Sequence, residues 1–298
     1  MKIAHFSDIH FTLPPWQPGL GWGEGKRTMA SLSYLLSRRW RFADIASRIT
    51  TLLSDVDAQQ VDHAVCTGDV SGVADGEELR ACAELFGSRL AEPTRWTVLP
   101  GNHDVYTPRA EAQNRFQQAF GSPALPYCKL LSPTLALLAI ETTRVNLWVD
   151  SSGLCQTDTL DWLARPLEEH EHHSRTCVIA MHYGLLRKDG SRDSRHHAIR
   201  NDRALLDVLA QGRKRPRLVV HGHLHEAFVR PLDNNLLVCA GSATDLRQHC
   251  GYYVIDWQAD DVCVIERREY EGTHYVTRKK VRWQASQTSP TRWVEAPT

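Results

Sequence analysis

Short apolar runs recur along the chain at residues 3–6, 61–66, 96–99, 134–140, 177–180 and 218–220, each bounded by polar or turn-forming residues. Runs of this length without alternation read as strands buried on both faces. Between them the apolar positions return every three or four residues. Over 26–55 they are Met29, Leu32 and Leu36, then Ile45, Ile49, Leu52 and Leu53, and that spacing predicts helix. The stretches 77–90, 109–120, 157–169 and 201–210 read as helices for the same reason. Strand and helix therefore alternate to about residue 225, the pattern of an α/β chain. From residue 227 the segments AFVRPL, NLLVCAGS, GYYVIDW, DVCVIERREY and HYVTRKKV follow one another like antiparallel strands, with turns at 233–235 and 259–261. Two mixed sheets packed face to face with flanking helices account for this order, in one domain over 1–283, with a frayed polar tail at 284–298.

The polar residues that interrupt this pattern cluster where strands end. Asp8 and His10 follow the first run, Asp69 the second, Asn102 and His103 the third, His182 the run at 177–180, and His223 and His225 the run at 218–220. In open α/β sheets, loops from several strands converge at these carboxyl ends, and ligands bind there. Gly68, Gly101 and Gly222 lie inside the clusters, where a bulky side chain is expected to block a metal or a phosphate. A carboxylate able to bridge, Asp69, together with imidazoles and an amide oxygen, suits borderline-hard first-row cations. Two such cations clamp the attacking and leaving oxygens of an in-line displacement. Cysteine is absent from every cluster, which excludes a structural zinc finger.

Composition narrows the partners. Across 298 residues, Lys+Arg 35 balances Asp+Glu 35, so no global field favours a nucleic acid polymer. The eight cysteines are scattered without CxxC pairs, and Cys66, Cys177, Cys239 and Cys263 fall in apolar runs. Free thiols in a reducing, cytoplasmic compartment are expected. The first strand begins at Lys2, so no cleaved leader is expected ahead of it, and no apolar run approaches the roughly 18–20 residues that span a bilayer.

Residues 11–41 form an insertion near the clusters, a Pro-, Gly- and Trp-rich loop (Trp16, Trp22) leading into a basic helix with Lys26, Arg27, Arg38, Arg39 and Arg41. Such a segment is either a solvated surface helix or, at 26–41, a cap that touches anionic lipid at the inner face of the membrane. A second basic stretch follows His182, and in it Arg187, Arg195 and Arg200 are candidate grips on a substrate phosphate. His5, His63, His196, His197, His249 and His274 are expected to be packed or solvent-facing, and the run EEHEHH at 168–173 to be a solvated helix end.

The series DIH, GDV, GNHD, MH and GHLH resembles the calcineurin-like metallophosphoesterase superfamily over about residues 1–257. That resemblance implies a four-layer α/β/β/α sandwich and two divalent ions (Mn, Fe, Zn or Co). One would be held by Asp8, His10, Asp69 and His225, and the other by Asp69, Asn102, His182 and His223. It further implies attack on phosphorus by a hydroxide bridging the ions, with His103 protonating the leaving oxygen. One departure stands out. The protein phosphatases of the superfamily carry a second Asp shortly after the bridging one, which orients the catalytic histidine, whereas here the sequence runs Gly68-Asp69-Val70-Ser71-Gly72. The pattern is similar to the bacterial phosphodiesterase and phosphohydrolase branch, with Asp104 offered as the orienting partner of His103. A phosphodiesterase acting on a small soluble ester is the expected function. The alternatives are a pyrophosphatase on a nucleotide-linked lipid, similar to UDP-diacylglucosamine hydrolases, and a non-catalytic scaffold on the same fold.

Overall fold

Strand β1 (Lys2–Phe6) shows how an unbroken apolar run is used. Successive side chains point to opposite faces, so Ile3 enters the core between two sheets while Ala4 and Phe6 pack beneath helices. The computed structural model describes residues 1–13, 44–146, 150–211, 217–258, 262–285 and 293–296. After β1 come α1 (Ile45–Ala58), β2 (His63–Cys66), α2 (Gly76–Phe86), β3 (Trp96–Val98), α3 (Pro108–Ala112), α4 (Arg115–Phe120), β4 (Tyr127–Ser132), β5 (Leu135–Ala139) and α5 (Thr157–His172). They are followed by β6 (Thr176–Ala180), α6 (Asp202–Ala210), β7 (Arg217–His221), β8 (Phe228–Leu232), β9 (Asn235–Cys239), β10 (Gly251–Trp257), β11 (Val262–Tyr270), β12 (Tyr275–Ala285) and β13 (Trp293–Ala296).

One sheet has the order β13-β12-β11-β10-β1-β2-β3 and the other β4-β5-β6-β7-β9-β8. Within them β1, β2 and β3 run parallel, as do β5, β6, β7 and β9. Their inner faces share a core that includes Ile3, Val65, Leu137, Val178, Val220 and Ile255. Outside the first sheet lie Ile49 and Leu52 of α1, Leu79 and Phe86 of α2 and Phe116 of α4, while Leu163 of α5 and Leu205 of α6 cover the second. The layers are thus helix, sheet, sheet, helix.

Several expectations are corrected. The segment 109–120 is two helices, because Asn114 takes a left-handed conformation (φ 46°) between them. The strands after 227 do not form one antiparallel run. β9 lies parallel to β7, and the chain then crosses to the other sheet, where β10 pairs antiparallel with β1. The edge strand β4 was not foreseen. The tail is not frayed throughout: β12 extends to Ala285, and β13 pairs with it while Trp293 buries its ring and donates Nε1–H to the Asn234 carbonyl at 3.2 Å. Nor is EEHEHH wholly solvated, since α5 runs to His172 and His170 is buried with Nε2 3.2 Å from Cys128 Sγ. All eight cysteines are free, with Cys128 exposed and the others buried. The basic segment 26–41, Trp16, Trp22 and the turn at 259–261 lie outside the described residues. Among the described residues no helix is long and apolar enough to cross a membrane.

His63 illustrates a polar side chain held neutral inside the sandwich. Its ring contacts the Thr94 carbonyl and Thr97 Oγ1, each at 3.0 Å. Burial, helped by the nearby charge of Lys129, pushes it down from 6.5 to about 4. Between those values the unfolded chain binds a proton that the native chain refuses, so stability falls as pH drops through that window, by about 3 kcal/mol at most. In urea denaturation, the wild type should lose stability relative to His63→Gln between pH 7.5 and pH 5, and the gap should stay constant above pH 7.5.

Candidate metal centre

The parallel strands of both sheets end on one side, and the ligand clusters meet there. Asp8, His10, Asp69, His223 and His225 all adopt left-handed backbone conformations, with φ between 52° and 68°. Asp and His tolerate this region better than most residues, yet it still costs about 1 kcal/mol each and survives only where surroundings over-determine it. The surroundings are other loops at close range. Ser242 Oγ donates to the Asp8 carbonyl at 2.7 Å and the His223 N–H to Asp8 Oδ2 at 2.9 Å. A Cβ at Gly101 would overlap Asp69 Oδ1 and its backbone nitrogen, and one at Gly222 would overlap Ser7 Oγ and Asp8 Oδ2. These glycines therefore let neighbouring loops touch, rather than clearing space for a ligand as expected.

In one half of the cluster, His10 Nε2 and His225 Nε2 stand 2.9 Å apart. Asp8 Oδ1 lies 3.4 Å from His225 Nε2 and 3.8 Å from His10 Nε2, and Asp69 Oδ2 is 3.8 Å from His10 Nε2. Asp8 Oδ1 is buried and has no hydrogen-bond partner. In the other half, Asn102 Oδ1 is 3.0 Å from both His182 Nε2 and His223 Nδ1, and Asp69 Oδ1 is 3.5 Å from His182 Nε2. The outer nitrogens are held by carbonyls: His182 Nδ1–H donates to Thr67 at 2.8 Å and His223 Nε2–H to His197 at 3.0 Å. A carbonyl can only accept, so each outer nitrogen carries the proton, and in the neutral ring the inward one carries a lone pair.

Electrostatics point the same way. Burial pushes Asp8 up. Burial also pushes Asp69 up, but His182 and His103 beside it outweigh that and hold it well below the usual carboxylate range. Burial lowers His182, and Asp69 more than reverses this, raising it to about 9. The raised His182 and lowered Asp69 suit an imidazolium beside a carboxylate, and a divalent ion binding there would displace that proton. An orphaned carboxylate oxygen, converging imidazoles and a shared Asp69 fit a pair of divalent cations. Ligand atoms of Asp8, His10 and His225 lie within 4.8 Å of one another, as do those of Asp8, Asp69 and His182.

His103 belongs to the same cluster, with a ring nitrogen within 4.8 Å of ligand atoms of His10 and Asp69. Its backbone N–H donates to Asp69 Oδ1 at 2.7 Å, and its ring is edge-on to His10 and stacked on Tyr106. Asp104 is not its orienting partner. That carboxyl turns away and accepts the N–H groups of Val70, Ser71 and Gly101 and the Ser71 hydroxyl, at 2.8–3.1 Å. Burial, then the charge of Asp69, raises it to about 7. The ring of His103 is held instead by the Gly72 carbonyl, 2.6 Å from Nδ1.

The arginines are placed differently from one another. Arg187 pairs with Asp193 at 3.3 Å, and Arg200 with Asp150 at 2.5 Å and Ser152 Oγ at 3.0 Å. Arg195 is exposed and lines, with Arg200, a surface cavity of about 410 Å³. One contributor was missed in the sequence. Asp245, buried in the loop after β9, lies 3.9 Å from His225 Nδ1. Its segment Gly241-Ser242-Ala243-Thr244-Asp245 closes an apolar run just as the other clusters do, and that position was the available signal.

A double-sheet α/β sandwich with buried carboxylates, an amide and imidazoles at its strand ends defines a metal-dependent phosphoester hydrolase. The model of the calcineurin-like phosphoesterase family matches residues 1–227, and the chain belongs to that family. A dimetal phosphatase from Danio rerio is 14% identical, with 93% of this chain and 98% of that one aligned and a TM-score of 0.65. A purple acid phosphatase from yellow lupin (Lupinus luteus) seeds is 11% identical, with a TM-score of 0.58; 93% of this chain aligns with 52% of that one, so this chain spans about half its length. These likenesses carry the fold. No curated protein sequence matches the chain. Family membership implies a binuclear divalent metal centre.

Metal should stabilise the native state alone. A free cation concentration of 100 times Kd contributes about 2.7 kcal/mol, which for a chain of this size raises Tm by roughly 4 °C. Mn²⁺ titrated into chelator-treated protein should give this shift in differential scanning fluorimetry, and Asp69→Asn should remove most of it.

Proposed function

We propose that the chain is a metal-dependent phosphodiesterase. The observation that carries this reading is His103, beside the shared carboxylate Asp69 and held through Nδ1 by a backbone carbonyl. Two divalent cations held by Asp8, His10, Asp69, Asn102, His182, His223 and His225 would supply Lewis acidity toward the phosphoryl oxygens and a hydroxide nucleophile at neutral pH. With Nδ1–H given to the Gly72 carbonyl, His103 as an imidazolium would pass its Nε2 proton to the departing ester oxygen and become the neutral Nδ1–H ring. Asp69 fixes the backbone of His103 as well as lying between the two halves of the cluster, so acid and ligands share one anchor.

One feature supports a diester over a terminal phosphate: the loop after Asp69 presents a neutral carbonyl to His103 where protein phosphatases place a second carboxylate.

Purified protein with Mn²⁺ should hydrolyse bis(p-nitrophenyl) phosphate with kcat/KM at least about 10-fold above that for p-nitrophenyl phosphate, or ~1.4 kcal/mol of transition-state preference. Asp69→Asn should lower turnover by more than about 100-fold. A preference for the monoester would overturn the diester reading.

A further inference from the structure

The loops that follow β1 and β2 continue side by side beyond their strands. The Asp8 N–H donates to the Gly68 carbonyl, the Phe11 N–H to Val70, and the Gly72 N–H to Phe11, each at 2.9 Å. Phe11 and Ser71 form a parallel bridge. In a parallel ladder the next rung would be Leu13 N–H to the Gly72 carbonyl. That rung is not made. The Leu13 N–H donates to Glu78 Oε1 at 3.2 Å, and the Val73 N–H donates to Glu78 Oε2 at 3.1 Å. The Gly72 carbonyl instead accepts from His103 Nδ1 at 2.6 Å.

Glu78 is suited to this diversion. It sits in the first turn of α2, which Asp75 caps by accepting the Glu77 N–H, and its side chain is 1% exposed. A carboxylate near a helix N-terminus is favoured by the helix dipole. Its two oxygens accept from both loops at once, which a carboxamide cannot do, because its NH₂ would face one of the two N–H groups.

We propose that Glu78 is a positioning residue for His103: by capturing the Leu13 and Val73 amides it ends the ladder one rung early and commits the Gly72 carbonyl to the histidine. The carbonyl fixes Nδ1 as the protonated nitrogen and so sets which nitrogen faces the departing oxygen. Glu78 itself touches no reacting atom. The inference rests on the reading of His103 as proton donor, and the test separates the two.

Diphenyl phosphate has a poor leaving group and needs the proton, whereas bis(p-nitrophenyl) phosphate needs it little. With Mn²⁺ bound, Glu78→Gln should lower kcat on diphenyl phosphate by about 10- to 100-fold but on the nitrophenyl ester by less than about 3-fold, with KM unchanged within about 2-fold. His103→Asn should show the same selectivity with larger amplitude, and adding Glu78→Gln to it should cause no further loss. Equal losses on both esters from Glu78→Gln, or additive losses in the double variant, would overturn the role of Glu78. A His103→Asn variant indifferent to the leaving group would instead sink the proton-donor reading. Positioning is then judged by ¹⁵N NMR of the Zn²⁺-loaded protein. At a pH where the ring is neutral, His103 should carry its proton on Nδ1 in the wild type and be a tautomer mixture in Glu78→Gln; a neutral wild-type ring with its proton on Nε2 alone, or no change in the variant, overturns the proposal.

Discussion

Two carboxylates of like charge, Asp8 and Asp69, are buried where the sheets meet, and much of the surrounding structure answers to that. Neither can be carried into a low-dielectric interior without compensation. Imidazoles from both sheets surround them, and a divalent cation held among them would relieve the repulsion. The backbone bends into left-handed conformations at five residues of this cluster, which brings the charges and lone pairs to one point. Glycines at 101 and 222 then let the loops approach until they touch the carboxylates themselves.

Behind the ligands lies a second set of polar groups whose work is to hold loops. Asp104 gathers amides from the loops after β2 and β3, Ser242 ties the loop after β9 to Asp8, and Thr67 and His197 lend carbonyls to ligand histidines. Each bond is local and modest, on the order of 1 kcal/mol. Their joint effect is rigidity at the points where the chain is most bent, on a base of two sheets with a dry core between them.

Much of the architecture was legible because unbroken apolar runs and three-to-four spacing have few other meanings. The strand at 135–139 and the helix at 202–210 are such cases. The convergence of the polar clusters was legible for a related reason, since polar residues that abruptly end a buried strand need a purpose. What escaped was decided by tertiary contact. Nothing in GNHD says that Asp104 faces away from His103, because that depends on amides more than thirty residues earlier. A Gly72 carbonyl has no side-chain signature. Trp293 looks like part of a polar tail until the Asn234 carbonyl and the Trp257 ring are placed beside it. Asp245 was passed over because its strand was read only for its apolar residues.

The ligands come from opposite ends of the folding sequence. Asp8 leaves the ribosome before His223, whose amide binds it across 215 residues, and β1 finds its antiparallel neighbour only in β10. Pairings of such sequence separation form late and slowly. Until those pairings form, the segment that carries Asp8 and Asp69 has an open sheet edge and lacks the imidazoles of the second sheet. The cluster is complete only once the two sheets have closed on one another.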